Sequence, residues 1–180
     1  MRRITALLAP LAAVATLVVA PAAHAESMRM NVPESALTSY RAVASQFADP
    51  AAAVSANYTK ISDLAGIFCI ADPAGSGAMG IHYVNFDRLF DGGTLDPQQP
   101  EAIVYEAAPN GSLHLVALEY IVLQGDWGPT RPELFSGHPF DATEAGNRFG
   151  LPAYYSQHVW VGKGNPYGDL SMWNPAVHCR

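Results

Sequence analysis

Positive charge is scarce in this chain. Only ten of its 180 residues are lysine or arginine, against sixteen aspartates and glutamates. The lysines are Lys60 and Lys163 alone, and beyond Arg2 and Arg3 the arginines stand singly. Proteins bind nucleic acids and anionic membrane surfaces through clustered lysine and arginine, so the composition argues against both as partners.

Cysteine is scarcer still, with only Cys69 and Cys179. There is no C-x-x-C motif, which disfavours thiol redox chemistry and cysteine metal ligation. In an exported protein two lone cysteines most simply form one disulfide. We therefore expect a Cys69–Cys179 bond that ties the penultimate residue to the start of the core.

Long apolar runs are missing after residue 25, so no later segment could span a bilayer. The N-terminus differs: a basic Met1-Arg2-Arg3 precedes an alanine-rich apolar stretch over 4–23 that ends in Ala23-His24-Ala25. This pattern predicts a signal peptide over 1–25 and a secreted or periplasmic mature chain without membrane association. The alternative is an uncleaved membrane anchor, since the apolar run is longer than most signal cores.

Residues 26–180 contain no recognisable linker, and about 155 residues can enclose one core, so we expect a single domain. Helical patterns come first and strand patterns follow, without βαβ alternation, which is typical of an α+β fold. We expect two N-terminal helices packed on a curled, mainly antiparallel sheet.

The first helix is predicted from a cap at Asn31 to about Ala48, and the second begins at Asp49-Pro50, with aspartate as cap and proline in the first turn. The predicted core strands cover 80–86, 101–107, 113–123 and 155–162.

Asn110-Gly111 between two apolar runs is a strong hairpin signal. If these are the two loop residues, paired positions place Glu119 opposite Ala102 and Glu106 opposite Leu115. Four residues along a strand span about 13 Å, so the two glutamates cannot bind one ion. Glu119, in the middle of its strand, is the better candidate ligand.

Three strand-like apolar runs each carry one ionisable residue, namely His82, Glu119 and His158. Ionisable groups in runs this apolar should be buried, and a buried charge needs a partner or a metal ion. Two imidazoles and a carboxylate are a ligand set for a divalent transition metal such as zinc, copper, iron or manganese. We therefore predict a metal-binding protein, and in a metal-dependent enzyme the ion would keep an open position for water or substrate.

The alternative is a metal-free network in which His82 bonds Glu119, inside a non-catalytic module that binds a small ligand or serves a structural role. An aromatic cavity of Tyr83, Tyr105, Tyr120 and Trp160 would then hold the ligand, although ordinary core packing is the commoner role of such residues.

Two catalytic or cofactor motifs can be excluded. Residues 75–80 match G-x-G-x-x-G, but a strand follows instead of a helix, so we expect no nucleotide cofactor. No serine lies in a G-x-S-x-G elbow, and no catalytic residue is assigned.

Several segments together resemble a family of small exported bacterial proteins that has no established activity. The resemblance covers nearly all of the mature chain, so it implies a single secreted domain and assigns no role to any residue. The segments are Met79-Gly80-Ile81-His82-Tyr83-Val84-Asn85, Pro100-Glu101-Ala102-Ile103-Val104-Tyr105-Glu106, Leu115-Val116-Ala117-Leu118-Glu119-Tyr120, His158-Val159-Trp160 and Trp173-Asn174-Pro175.

Overall fold

A computed structural model describes residues 31–135 and 137–180. The predicted signal peptide over 1–25 lies outside the described residues. Within them, no helix is both long enough and apolar enough to cross a membrane.

Two helices begin the described chain, α1 (Glu34–Ser45) and α2 (Pro50–Ser55). The start of α2 is as predicted, because the Asp49 side chain accepts a hydrogen bond from the Ala51 amide. The predicted Asn31 cap of α1 is wrong: Pro33 occupies the cap position and makes no side-chain cap bond. Proline has a φ suited to a helix start, and its missing N–H is no loss there.

The remaining elements are mostly strands, with two one-turn helices, α3 (Phe86–Leu89) and α4 (Gln124–Trp127). The strands are β1 (Thr59–Lys60), β2 (Cys69–Ala71), β3 (Ala78–Val84), β4 (Ala102–Ala107), β5 (Leu113–Leu123), β6 (Glu133–Phe135), β7 (His138–Pro139), β8 (Asp141–Thr143) and β9 (Tyr154–Val159).

Seven of these strands form one sheet in the order β1-β3-β4-β5-β9-β8, with β2 also pairing with β3. Every strand pair among the described residues is antiparallel, and β6 and β7 form a separate two-stranded ribbon. The α+β class with a mainly antiparallel sheet is therefore confirmed. The four predicted core strands correspond to β3, β4, β5 and β9, which lie side by side.

The β4–β5 hairpin confirms one predicted pairing and corrects the other. Its loop has three residues, 109–111, because the Ala108 amide bonds the Ser112 carbonyl and the Gly111 amide bonds the Ala108 carbonyl. Gly111 has φ +82°, the left-handed conformation that such a loop requires. This longer loop shifts the register by one residue, so Glu106 lies opposite His114 and not opposite Leu115.

A β-bulge then cancels that shift. Val104 pairs with Ala117 while Tyr105 pairs with Leu115, which leaves Val116 as the extra residue on β5. Beyond the bulge Ala102 faces Glu119, as the sequence predicts. Two local irregularities thus return the middle of β5 to the register that an ordinary two-residue loop would produce.

The aromatic residues of the strands form the core. Tyr83 packs edge-to-face on Tyr105 at 5.0 Å between ring centroids, and the Tyr105 hydroxyl donates to the Phe47 carbonyl. The Tyr120 hydroxyl donates to the Pro97 carbonyl, and its ring contacts Tyr40 of α1. Buried phenols need such partners, so these hydrogen bonds account for tyrosine in a core.

The two cysteines lie at bonding distance. The Cys69 and Cys179 sulfurs are 2.09 Å apart and the Cα atoms 5.4 Å apart, across a sequence separation of 110 residues. The bond joins β2 to the C-terminus, in agreement with the predicted pairing.

Candidate metal centre

The side chains of the three predicted ligands meet on one face of the sheet, in the interior of the protein. His82 on β3, Glu119 on β5 and His158 on β9 are 4%, 5% and 1% exposed. Each offers a ligand atom, and these atoms all lie within 4.8 Å of one another. The group could therefore hold a metal ion.

Strand pairing explains how they meet. Glu119 lies directly opposite His158, because β5 and β9 are neighbours. His82 is one strand further away: it pairs with Val104 on β4, while Glu119 pairs with Ala102 on the same strand. Adjacent strands are about 4.8 Å apart, so the side chains of His82 and Glu119 must reach toward each other over β4.

The small Ala102 side chain leaves room for that contact. Ala102 has no exposed surface and belongs to the apolar cluster beside the site. Successive residues of a strand point to opposite faces, so Ala102 and Val104 share the face on which the three ligands converge.

The distances are close to those of ligands around one ion. His82 Nε2 lies 3.4 Å from Glu119 Oε2, and His158 Nε2 lies 3.8 Å from Glu119 Oε1. The two imidazole rings are 5.9 Å apart between centroids and nearly perpendicular, at 78°.

Two ring nitrogens at this site are buried without a hydrogen-bond partner among the described residues, namely His82 Nδ1 and His158 Nε2. Leaving a buried polar atom unpaired costs about 1–3 kcal/mol. His158 Nε2 is also the nitrogen nearest to Glu119. An ion between these two groups would give that nitrogen a partner.

Burial decides the protonation state of the three side chains. It raises the pKa of Glu119 to about 8, with Asp141 adding to the rise and the Ser156 hydroxyl opposing it. It lowers the pKa of His82 to about 4, helped by the charge of Arg148, and that of His158 to about 3, helped by His82. Near neutral pH both imidazoles are uncharged, which is the form that binds metals.

Aromatic neighbours hold the two imidazoles in place. The His158 ring stacks on Trp160 at 5.5 Å and 12°, and the Trp160 indole N–H donates to the Ser171 carbonyl. Phe149 packs edge-on against His82 at 6.1 Å. These contacts restrict ring rotation and so preorganise the ligand atoms.

A cavity of about 350 Å³ opens onto the site. His82 and Glu119 form part of its wall, whereas His158 does not line it. An ion held by the three side chains would therefore lie at the part of the cavity wall that His82 and Glu119 form.

The sequence did not reveal most of the cavity wall. Arg148 and Phe149 come from the irregular segment before β9, and Ile61 and Ser62 come from the segment after β1. These two segments are joined by an ion pair of Arg148 with Asp63, at 2.7 Å. The one sequence signal for this wall was the polar pair Asn147-Arg148 in an irregular segment. A polar pair in a loop does not predict a cavity.

Other candidate residues lie elsewhere. Glu106 pairs with Lys163 and accepts from the His178 amide, away from Glu119. The four aromatic residues of the alternative interpretation do not line this cavity. Those residues are Tyr83, Tyr105, Tyr120 and Trp160, all of which are buried in core clusters.

No protein-family model, curated protein or solved structure matches this chain.

Proposed function

We propose that the protein binds one divalent transition metal ion through His82, Glu119 and His158. The observation that carries the proposal is the convergence of three buried ligand atoms, from three different strands, within 4.8 Å of one another. Two imidazoles and a carboxylate suit zinc and iron, and also copper and manganese.

The spacing supports an ion of this kind. Bonds of about 2.0–2.2 Å from a tetrahedral ion place neighbouring ligand atoms about 3.3–3.6 Å apart. The nitrogen–oxygen distances at Glu119 are 3.4 Å to His82 and 3.8 Å to His158. All three ligand atoms lie within 4.8 Å of one another, so an ion would draw them closer by rotation of the side chains.

The cavity supports an open coordination position. Three protein ligands leave a tetrahedral ion with one free position, the arrangement of catalytic zinc sites. Since His82 and Glu119 line the cavity, that position would face it and would accept water or a small ligand. In a metal-dependent enzyme this water would be the nucleophile, or the ion would polarise a bound carbonyl.

A metal-free module that binds a small ligand is the second candidate. It is favoured by the pKa of Glu119, which burial raises to about 8, so that the three side chains are neutral together at pH 7 and need no ion. The ligand would then occupy the cavity and hydrogen-bond to His82 or Glu119.

Metal analysis separates the two candidates. Protein exported from cells and purified without chelator should contain close to one metal ion per chain by plasma mass spectrometry. His82→Ala, His158→Ala and Glu119→Gln should each lose it. His114→Ala is the matched control, because His114 is an exposed histidine on the same strand as Glu119.

A wild-type protein that is empty, and that does not take up zinc, copper, iron or manganese at micromolar concentrations, contradicts the metal proposal and leaves the ligand-binding module. Metal retained equally by the wild type and both histidine variants would show that the ion sits elsewhere.

We also propose that α1 and α2 cover one face of a curled sheet, in a chain exported from the cytoplasm. The contacts of Tyr40 with Tyr120 and of Phe47 with Tyr105 support the packing. The bonding distance between Cys69 and Cys179 supports an oxidising compartment. The resemblance to small exported bacterial proteins agrees with this location.

A further inference from the structure

The cavity wall is predominantly apolar. Thirteen of the twenty described residues that line it carry aliphatic, thioether or aromatic side chains. These residues are Ile61, Ile70, Pro73, Met79, Val84, Phe86, Leu89, Ile121, Phe149, Leu151, Tyr154, Met172 and Trp173. A cavity of about 350 Å³ with this lining would shield a small apolar ligand from water.

Arg148 is the one lysine or arginine on the described wall of this cavity. Its side chain is about one-third exposed, at 36%, and it lines the cavity. Its positive charge also acts on the proposed metal ligand His82, whose pKa it helps to lower.

Asp63 holds the guanidinium in one orientation. Arg148 donates through Nε and Nη2 to a single carboxylate oxygen of Asp63, at 3.2 and 2.7 Å. The other oxygen of Asp63 accepts from the backbone amides of Ala65 and Ile67, so the carboxylate is fixed by its own loop. Nη1 takes no part in the pair and has no hydrogen-bond partner among the described residues, so its N–H groups could donate to a ligand.

We propose that the cavity binds a small amphipathic monocarboxylate, with its apolar body against the wall and its carboxylate on Arg148. This inference rests on the proposed function, since it names the ligand class of the same site. One fixed guanidinium with a free nitrogen suits one carboxylate. A single cation on an apolar wall does not suit a nucleotide or another polyanion, and it disfavours cationic ligands.

Three probes of equal chain length test the class of ligand. Octanoate, octan-1-ol and octylamine each have eight carbons and differ in the head group; octanoate has one apolar methylene fewer, which weakens its binding by about 0.8 kcal/mol and so works against the expected preference. Binding should be measured by titration calorimetry at pH 7.5, first on chelator-treated protein and then on protein reloaded with zinc. Octanoate should bind about tenfold more tightly than octanol, the effect of one charge-assisted hydrogen bond, and octylamine should bind most weakly.

Two substitutions test the role of Arg148. Arg148→Gln should reduce the ratio of octanoate to octanol affinity to about one; the ratio is compared because loss of the Asp63 pair also alters the cavity wall for both probes. Arg148→Lys should keep part of the preference, because it preserves the charge without the planar fork. Circular dichroism establishes whether each variant is folded, and the comparison of the three probes on wild-type protein needs no variant.

Octanoate binding no tighter than octanol binding in the wild type would overturn the ligand class. A preference that persists in Arg148→Gln, or that exists only with zinc present, would place the carboxylate elsewhere and overturn the role of Arg148. Failure of the metal proposal is distinguishable from both results, because the chelator-treated protein contains no metal and its preference depends on Arg148 alone.

Discussion

His82 Nε2 lies 3.4 Å from the Glu119 carboxylate, although an entire strand, β4, separates their two strands in the sheet. The contact depends on the residue over which they reach. Ala102 pairs with Glu119, shares the face of His82 and is completely buried. The short methyl side chain of Ala102 leaves this approach open.

Ala102→Leu should therefore abolish metal binding by wedging His82 away from Glu119. Overpacking a buried site also costs about 1–3 kcal/mol of unfolding free energy. Ala53→Leu is the matched control, because Ala53 is equally buried on α2 and does not line the cavity. Urea unfolding should show both variants destabilised, and metal analysis should show loss in Ala102→Leu alone. Full zinc binding by folded Ala102→Leu would contradict this account of the site.

Metal affinity should rise with pH up to about 8 and then level off. The pKa of Glu119 is raised by burial to about 8, so at lower pH a proton must leave before the carboxylate binds an ion. His82 and His158 add nothing between pH 6 and 9, because burial lowers their pKa values to about 4 and about 3.

The dependence should approach one proton per ion below pH 8, which is a tenfold loss of affinity per pH unit. Calorimetry at pH 7 in two buffers of different ionisation enthalpy should detect that proton. An affinity independent of pH between 6 and 8 would contradict a protonated Glu119 in the metal-free site.

Glu101 predicts a separate effect on stability. Its carboxylate accepts from the Ile121 amide at 2.8 Å, and burial raises its pKa to about 8. The folded protein thus keeps a proton that the unfolded chain loses above its ordinary pKa of 4.5. The contribution of Glu101 to stability is greatest below pH 4.5. It falls as the pH rises from 4.5 to about 8 and is constant above that.

Glu101→Gln removes this loss, because the amide oxygen still accepts from Ile121 and never ionises. Its stability advantage over wild type should grow from pH 4.5 to 8, to at most about 5 kcal/mol.

The pKa of Glu106 is lowered: burial opposes the shift, but hydrogen bonds from Lys163 and the His178 amide outweigh it. Glu106→Gln should therefore show the opposite trend, losing stability relative to wild type as pH rises. Parallel pH profiles for the two variants would contradict both assignments.

Reduction of the Cys69–Cys179 bond should destabilise the fold. The bond closes a loop with a sequence separation of 110 residues. For a loop of this length the chain-entropy model predicts a stabilisation of about 4–5 kcal/mol. Unfolding by urea with and without reductant should show the difference, and Cys69→Ser/Cys179→Ser should behave like the reduced wild type. Peptide mapping without reductant should recover a linked pair that lacks two hydrogens. Free thiols on both residues would remove the claim.

The hairpin shows how far sequence reasoning could go. Asn110-Gly111 located the turn, and the pairing of Ala102 with Glu119 is as predicted. The error at Glu106 arose because the loop has three residues, and the bulge at Val116 cancels that shift only beyond Tyr105. Loop length and bulges depend on twist and packing across the sheet, which a single strand pattern does not encode.

The sequence by itself determined which residues would be buried and ionisable, because charge in an apolar strand run is visible without a structure. It also determined the cysteine pairing, since only one pair exists. The tertiary structure decided that His82, Glu119 and His158 share one face. It also brought the loops carrying Asp63 and Arg148 together across 85 residues to close the cavity. Loop side chains follow no period, so their meeting is set by the packing of the whole fold and not by any local pattern.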